Sequence, residues 1–237
     1  MSHPALAVIS RAEPGRVLRP GLPRAVEVVL AAAGLALVSP LLAVASLAVV
    51  LDSPGSPFFV HERVGRDGRR YRLWKIRTMK AGIGPEVTAA GDERITRVGR
   101  FLRRLKVDEL PQLWNVLVGD MSLVGPRPEA PAYVDLRNEL WRRILSVRPG
   151  ITDPVSLALR DEESLLAACG GDREGFYRDL LQPFKLRGYE SYLEERTAGS
   201  DLRVILETAL VAVRLLRRPA VTLEDVRGEP RKPDSPP

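Results

Sequence analysis

Charged residues vanish from Val28 to Leu51, where the chain reads VVLAAAGLALVSPLLAVASLAVVL. At about 1.5 Å of rise per helical residue, this run is long enough to cross a bilayer. It exceeds the apolar stretch of a secretory signal, and Asp52-Ser53-Pro54-Gly55 makes a poor cleavage site. Ser39-Pro40 sits at its centre. A proline lacks the backbone N–H and pushes on the carbonyl four residues earlier, so a bend is expected there, with the serine hydroxyl available to a freed carbonyl. Arg11, Arg16, Arg19 and Arg24 precede the run; Arg63, Arg66, Arg69, Arg70, Arg72, Lys75, Arg77 and Lys80 follow it. Both flanks carry the positive charge of a cytoplasmic side, which a re-entrant hairpin satisfies at once. A large domain overrides the charge rule, so composition alone leaves a bent spanning helix equally open.

Beyond this segment the periodicity changes. Pro57-Phe58-Phe59-Val60 and residues 71–77 read as short strands around a Gly65 to Gly68 turn, a small β-hairpin. Residues 81–93, with Gly82, Gly84, Pro85 and Gly91, read as a loop. From Arg94 to Lys106, Ile95, Val98, Phe101, Leu102 and Leu105 recur at helical spacing among six basic residues and no acidic one. Beside a membrane segment such a helix suits anionic lipid or phosphate, although the same pattern also makes an ordinary solvated face. Further helices are expected over 132–147, 162–169, 175–186 with a break at Pro183, and 202–218. Residues 1–23 and 219–237 read as flexible tails. The expected fold is α+β and mostly helical: a membrane helix at 24–51 broken at Ser39-Pro40, amphipathic interfacial helices, a small β-hairpin, and one domain over 52–218.

Charge narrows the partner. The 237 residues carry 36 Lys+Arg against 30 Asp+Glu, a formal net charge of +6, and the six cations of residues 94–106 equal that whole excess. The mean hydropathy of -0.08 averages one apolar segment with a polar remainder. One cysteine, Cys169, excludes an internal disulfide framework, and His3 and His61 are too far apart in sequence to suggest a zinc cluster. Aromatic residues make up 5% and do not interleave the basic ones, which disfavours nucleic acid. The chain has no G-x-x-x-x-G-K-[ST] loop, no G-x-S-x-G elbow and no H-E-x-x-H.

Candidate chemistry concentrates in VDELPQLWNVLVGDMSLVGPRPE, from Val107 to Glu129. Asp108-Glu109 follows the basic segment directly. Such a pair commonly caps a helix. Surrounded by Arg103, Arg104 and Lys106, however, both carboxyls are expected to stay ionised and able to hold a divalent cation, one as nucleophile and its neighbour as metal ligand. Gly125-Pro126-Arg127-Pro128 fixes the backbone around one arginine, a presentation suited to phosphate or to an exposed turn. Arg148 in Arg148-Pro149-Gly150, Arg160, Lys75 and Arg77 are further cationic candidates.

Taken together, these pieces closely resemble the bacterial sugar transferase family of monotopic phosphoglycosyl transferases. The resemblance rests on Ser39-Pro40, His61-Glu62-Arg63-Val64-Gly65, Lys75-Ile76-Arg77-Thr78-Met79, Asp108-Glu109-Leu110-Pro111-Gln112, the run from Asn115 to Pro128, and Val147-Arg148-Pro149-Gly150-Ile151-Thr152, in family order over about residues 24–218. It implies a re-entrant helix with both ends cytoplasmic, on a bacterial inner membrane. It also implies transfer of a sugar-1-phosphate from a UDP-sugar to polyprenyl phosphate, with UMP released and a membrane glycoconjugate begun. Asp108 would be the nucleophile forming a covalent phosphosugar, Glu109 the Mg²⁺ ligand, and Arg103, Arg127 and Arg160 phosphate contacts, with Lys75, Arg77 and Arg148 as further substrate-binding candidates. An anionic bilayer is an implied partner, and downstream glycosyltransferases and a second copy of the chain are compatible with it. Asp153-Pro154-Val155-Ser156 departs from the family's commoner Gly-Trp-Ala-Gln, which bears on sugar preference more than on the reaction. The competing readings are a membrane-tethered protein that binds anionic lipid and an inactive scaffold.

Overall fold

The computed structural model describes residues 17–80, 92–212, 215–216 and 221–228. The loop expected at 81–93 therefore lies outside the described residues up to residue 91, as do residues 1–16 and parts of the segments expected at 202–218 and 219–237. The described residues form two compact units, one from residues 22–80 and 92–152 and the other from residues 17–21 and the described residues after 152.

In the first unit, α1 (Arg24–Asp52) is a 29-residue helix that continues through Pro40, where a break was expected. The carbonyl deprived of its amide partner by Pro40 is that of Ala36, and the Ser39 hydroxyl donates to it at 2.8 Å. The serine thus supplies the bond the proline removes. One side of α1 is buried at Ala31, Ala45 and Val49; the other leaves Leu37 81% and Leu51 78% exposed, with Leu41, Val44 and Leu47 between them. By length and composition it could cross a membrane.

Both ends of α1 are fastened to this unit. At the start, the Arg24 guanidinium donates to the carbonyls of Met121 (3.1 Å) and Val116, and buried Glu27 accepts from Leu123 N–H at 3.3 Å and the Ser122 hydroxyl at 3.4 Å. At the finish, Arg77 donates to the Ser53 and Pro54 carbonyls at 2.6 Å each, and Asp52 accepts from Val98 N–H at 3.1 Å. Between the two, Leu113 packs at Gly34, where an added Cβ would lie 3.5 Å from its side chain.

Strands β1 (Phe58–Val64) and β2 (Arg70–Ile76) form the expected hairpin, with β1 extending through His61-Glu62-Arg63-Val64. Successive strand residues face opposite sides, so Phe59, His61 and Arg63 share one face with their cross-strand partners Lys75, Leu73 and Tyr71. Helix α2 (Arg97–Arg104) is shorter than the 94–106 pattern because the Thr96 side chain accepts from Gly99 N–H and starts it there. Ala45 and Val49 of α1, Ile76 of β2, Leu102 of α2 and Val107 make a common core. Helix α3 (Gln112–Val118) ends at Gly119, whose φ of 96° lies in the left-handed region glycine favours.

A second sheet was not foreseen: β3 (Ser122–Val124) pairs in parallel with β4 (Gly150–Thr152). All of β3 is buried, so it lacks the alternation that betrays a half-exposed strand. The helix expected over 132–147 reduces to α4 (Glu139–Ile144). Pro131 opens a separate 3-10 turn (Pro131–Tyr133), and the Asn138 side chain caps α4 by accepting from Leu140 and Trp141 N–H.

The second unit is helical, with α5 (Pro154–Ala158), α6 (Glu162–Ala168), α7 (Arg173–Phe176), α8 (Gln182–Glu195), α9 (Ala198–Ala212) and α10 (Leu223–Arg227). Pro183 does not break its helix. A π-helical stretch (Tyr177–Leu181) joins α7 to α8 and leaves Pro183 in the first turn of α8, where proline is tolerated. Helix α9 begins before the expected residue 202, and α10 falls in the expected tail, held by buried Val221 and Val226 and a Val221 N–H to Ala158 carbonyl bond of 3.1 Å.

Asp201, fully buried, accepts from Arg196 at 2.7 and 3.0 Å and from the Tyr192 hydroxyl. Asp201→Asn removes the counter-charge that Asp201 presents to buried Arg196. We expect it to destabilise the protein by about 3 kcal/mol, read as a lower chemical-denaturation midpoint.

Candidate active site

Asp108 and Glu109 sit in a one-turn 3-10 segment, Val107–Glu109. Lys106 precedes it with φ of 56°, a left-handed conformation that redirects the chain leaving α2. Val107 anchors the turn in the core. No side-chain capping bond is made at the start of α3, so the two carboxylates do not serve as its cap. Both are buried, Asp108 to 5% exposure.

Glu109 is gripped by two cations. Arg127 donates to both of its oxygens, at 2.5 Å to Oε1 and 3.2 Å to Oε2, and Lys75 Nζ donates to Oε1 at 3.0 Å. Burial alone would push the Glu109 carboxyl up; Arg127 and Lys75 outweigh it and hold the group well below the usual carboxylate range. The Arg127 fork needs a stiff mount, and two backbones supply it by near contact. Gly125 N–H donates to the Thr152 carbonyl and Gly150 N–H to the Pro126 carbonyl, and a Cβ on Gly150 would lie 2.1 Å from Gly125 N. Asn115 fixes β2 in turn: its amide donates to the Arg72 carbonyl at 2.7 Å and its Oδ1 accepts from Trp74 N–H at 3.1 Å.

Asp108 behaves differently from the expectation that the nearby cations keep both carboxyls low. Burial raises its pKa above the ordinary 3.8 and the Glu109 charge adds to this, more than Lys75, Lys106 and Arg103 offset. Its Oδ1 is buried without a hydrogen-bond partner. An orphaned carboxylate oxygen beside a carboxylate held by two cations is the arrangement of a group kept available for a ligand.

The other expected cations scatter. Arg103 donates to the Thr78 hydroxyl at 3.4 Å and its charge bears on Asp108. Arg77 holds the end of α1, and Arg148 donates to the Gly119 carbonyl at 2.9 Å, so both bond backbone carbonyls. Arg160 belongs to the other unit, where it donates to Asp161 at 3.2 Å. Conversely, Arg63 and Gln112, which lie outside the expected site, line a cleft with Leu73, Lys75, Arg127 and Pro128. The alternation of residues 59, 61 and 63 against 71, 73 and 75 was the signal that could have placed Arg63 on the same face as Lys75.

The bacterial sugar transferase model matches residues 19–215, most of the chain and all of this site. The chain belongs to the bacterial sugar transferase family. A UDP-glucose:undecaprenyl-phosphate glucose-1-phosphate transferase of Caulobacter vibrioides is 40% identical over 207 residues, 81% of this chain and 73% of the relative. An Escherichia coli protein of the same name is 45% identical over 141 residues, covering 55% of this chain and 30% of the relative. A UDP-N-acetylgalactosamine-undecaprenyl-phosphate N-acetylgalactosaminephosphotransferase of Aeromonas hydrophila is 41% identical over 137 residues, 54% of this chain and 32% of the relative.

Among the described residues the chain has one helix long and apolar enough to cross a membrane, near its N-terminus. Among the described residues no group of three or more His, Cys, Asp and Glu side chains could hold a metal. Magnesium at a nucleotide site needs no such cage, since one or two carboxylates suffice when substrate phosphates and waters complete the shell. Glu109 Oε2, which accepts a single bond from Arg127, and the orphaned Asp108 Oδ1 beside it fit that requirement.

Proposed function

We propose that this bacterial sugar transferase moves a sugar-1-phosphate from a UDP-sugar to polyprenyl phosphate in two displacements. The observation that carries the reading is Asp108, buried with a free oxygen beside a glutamate fixed by Lys75 and Arg127. A carboxylate oxygen of Asp108 attacks the β-phosphorus of the UDP-sugar; the bond to the bridging oxygen breaks, and its electron pair leaves with UMP. An oxygen of polyprenyl phosphate then attacks the same phosphorus and frees Asp108, giving a polyprenyl-diphospho-sugar. Lys75, Arg103 and Arg127 place positive charge around the reacting centre, which phosphoryl transfer requires. Glu109 and the substrate phosphates would hold Mg²⁺, which when bound neutralises charge on the diphosphate.

The re-entrant topology belongs to the same proposal. A spanning helix separates its ends by the bilayer thickness of about 30 Å. Here one unit grips the start of α1 through Arg24 and Glu27 and its finish through Arg77 and Asp52. Both ends on the cytoplasmic face of the inner membrane, with Leu37, Leu41, Val44 and Leu51 toward lipid, account for those contacts and for the exposed apolar side. Initiation of a membrane glycoconjugate is the corresponding role.

The test is UMP release by the full chain in nanodiscs containing undecaprenyl phosphate, across UDP-sugars including glucose and N-acetylgalactosamine. The expected result is UMP from at least one donor, lost on chelation by EDTA and restored by Mg²⁺. Release undiminished by EDTA would remove the metal from the account, and no UMP from any donor would remove the reaction.

A further inference from the structure

The hairpin face that carries Lys75 holds polar and aromatic groups that the phosphoryl chemistry leaves unused. Phe59, His61 and Arg63 lie on it opposite Lys75, Leu73 and Tyr71. The His61 ring is largely buried, and its Nε2 has no hydrogen-bond partner. Which nitrogen bears the proton follows from its neighbour. Arg63 Nη2 lies 3.3 Å from His61 Nδ1, and a guanidinium only donates, so Nδ1 accepts. Burial, reinforced by the charges of Arg63, Lys75 and Arg127, lowers the His61 pKa to about 3 and keeps the ring neutral. The single ring proton is therefore on Nε2, a fixed donor facing no acceptor.

Two further observations point the same way. Gln112, only 2% exposed, lines the adjoining cleft with Arg63, Lys75 and Arg127, and its Nε2 also lacks a partner. Phe59 is 50% exposed, with its ring centroid 5.1 Å from that of His61. An open aromatic ring, two unsatisfied N–H donors and adjacent cations are complementary to a flat ring bearing carbonyl oxygens and joined to phosphate. A buried donor left unpaired is unfavourable, and a ligand acceptor relieves it.

We propose that Phe59, His61 and Gln112 form the base subsite for the donor nucleotide, with Phe59 stacking on a pyrimidine and His61 Nε2–H donating to one of its ring carbonyls. This rests on the UDP-sugar reading above and adds how the uracil is read. His61 acts in binding and takes no part in the transfer of the phosphosugar.

The test is calorimetric titration of the full chain in nanodiscs with UMP, and with inorganic pyrophosphate as a ligand that has no base. His61→Leu removes the donor, His61→Gln keeps an N–H donor, and Phe59→Leu removes the ring from an exposed position. His61→Leu and Phe59→Leu are each expected to weaken UMP binding about tenfold, the scale of one lost hydrogen bond or stacking contact, and to leave pyrophosphate binding unchanged. His61→Gln should restore most of the loss. UMP binding by His61→Leu equal to that of the wild type, while the wild type still turns over a UDP-sugar, would overturn this inference alone. Equal loss of UMP and pyrophosphate would overturn it by making His61 a structural residue. Failure of the wild type both to bind UMP and to turn over any UDP-sugar would overturn the parent reading with it.

Discussion

Asp108→Asn is expected to lower sugar-phosphate transfer on the order of 10⁴-fold while leaving the fold intact, measured as kcat for UMP release with saturating donor and acceptor. The amide nearly matches the carboxylate in size but cannot form the phosphoryl ester, so the first displacement has no nucleophile. Little stability should be lost. Burial already disfavours the Asp108 charge, and its Oδ1 makes no hydrogen bond that Asn would break. The same substitution at Glu109 differs in kind, because it removes a counter-charge from both Arg127 and Lys75. Glu109→Gln should therefore reduce stability as well as activity.

Arg127→Lys is the second large effect. Charge is conserved and Lys75 still pairs with Glu109, so stability should stay within about 1 kcal/mol of the parent. Geometry is not conserved. Arg127 holds both Glu109 oxygens at once through its planar fork, and an ammonium reaches one at a time. Glu109 then gains freedom to rotate beside Asp108, and kcat/KM is expected to fall about 10²-fold. A loss under threefold would mean that Arg127 contributes charge and no positioning.

These two residues also mark what the sequence made legible. Asp108-Glu109 and Arg127 stood out because their features are local: adjacent carboxylates after a basic segment, and an arginine between prolines. Ser39-Pro40 was legible for the same reason, since the serine repairs the proline's missing bond within one turn. The hairpin followed from aromatic and β-branched runs around glycines. What escaped notice depends on contacts distant in sequence. Arg77 and Arg148 looked like phosphate ligands, and only the folded chain brings the carbonyls of Ser53 and Gly119 to them. Strands β3 and β4 are three residues each and pair across a long crossover, beyond the reach of periodicity. The Asp108 pKa could not be judged from neighbouring charges because burial, which no sequence displays, is its largest cause. Pro183 read as a helix breaker because the π-helical stretch that accommodates it has no recognisable spacing.

The covalent step distinguishes this account from direct transfer between the two substrates, and one measurement addresses it. The full chain is incubated with Mg²⁺ and a UDP-sugar labelled in the β-phosphate, without polyprenyl phosphate, quenched, and mapped by peptide mass spectrometry. Stoichiometric UMP and label on the peptide containing Asp108 are expected, chased into lipid when polyprenyl phosphate is added, with neither UMP nor label from Asp108→Asn. UMP that forms only when polyprenyl phosphate is present, with no label on the protein at any time, would contradict it.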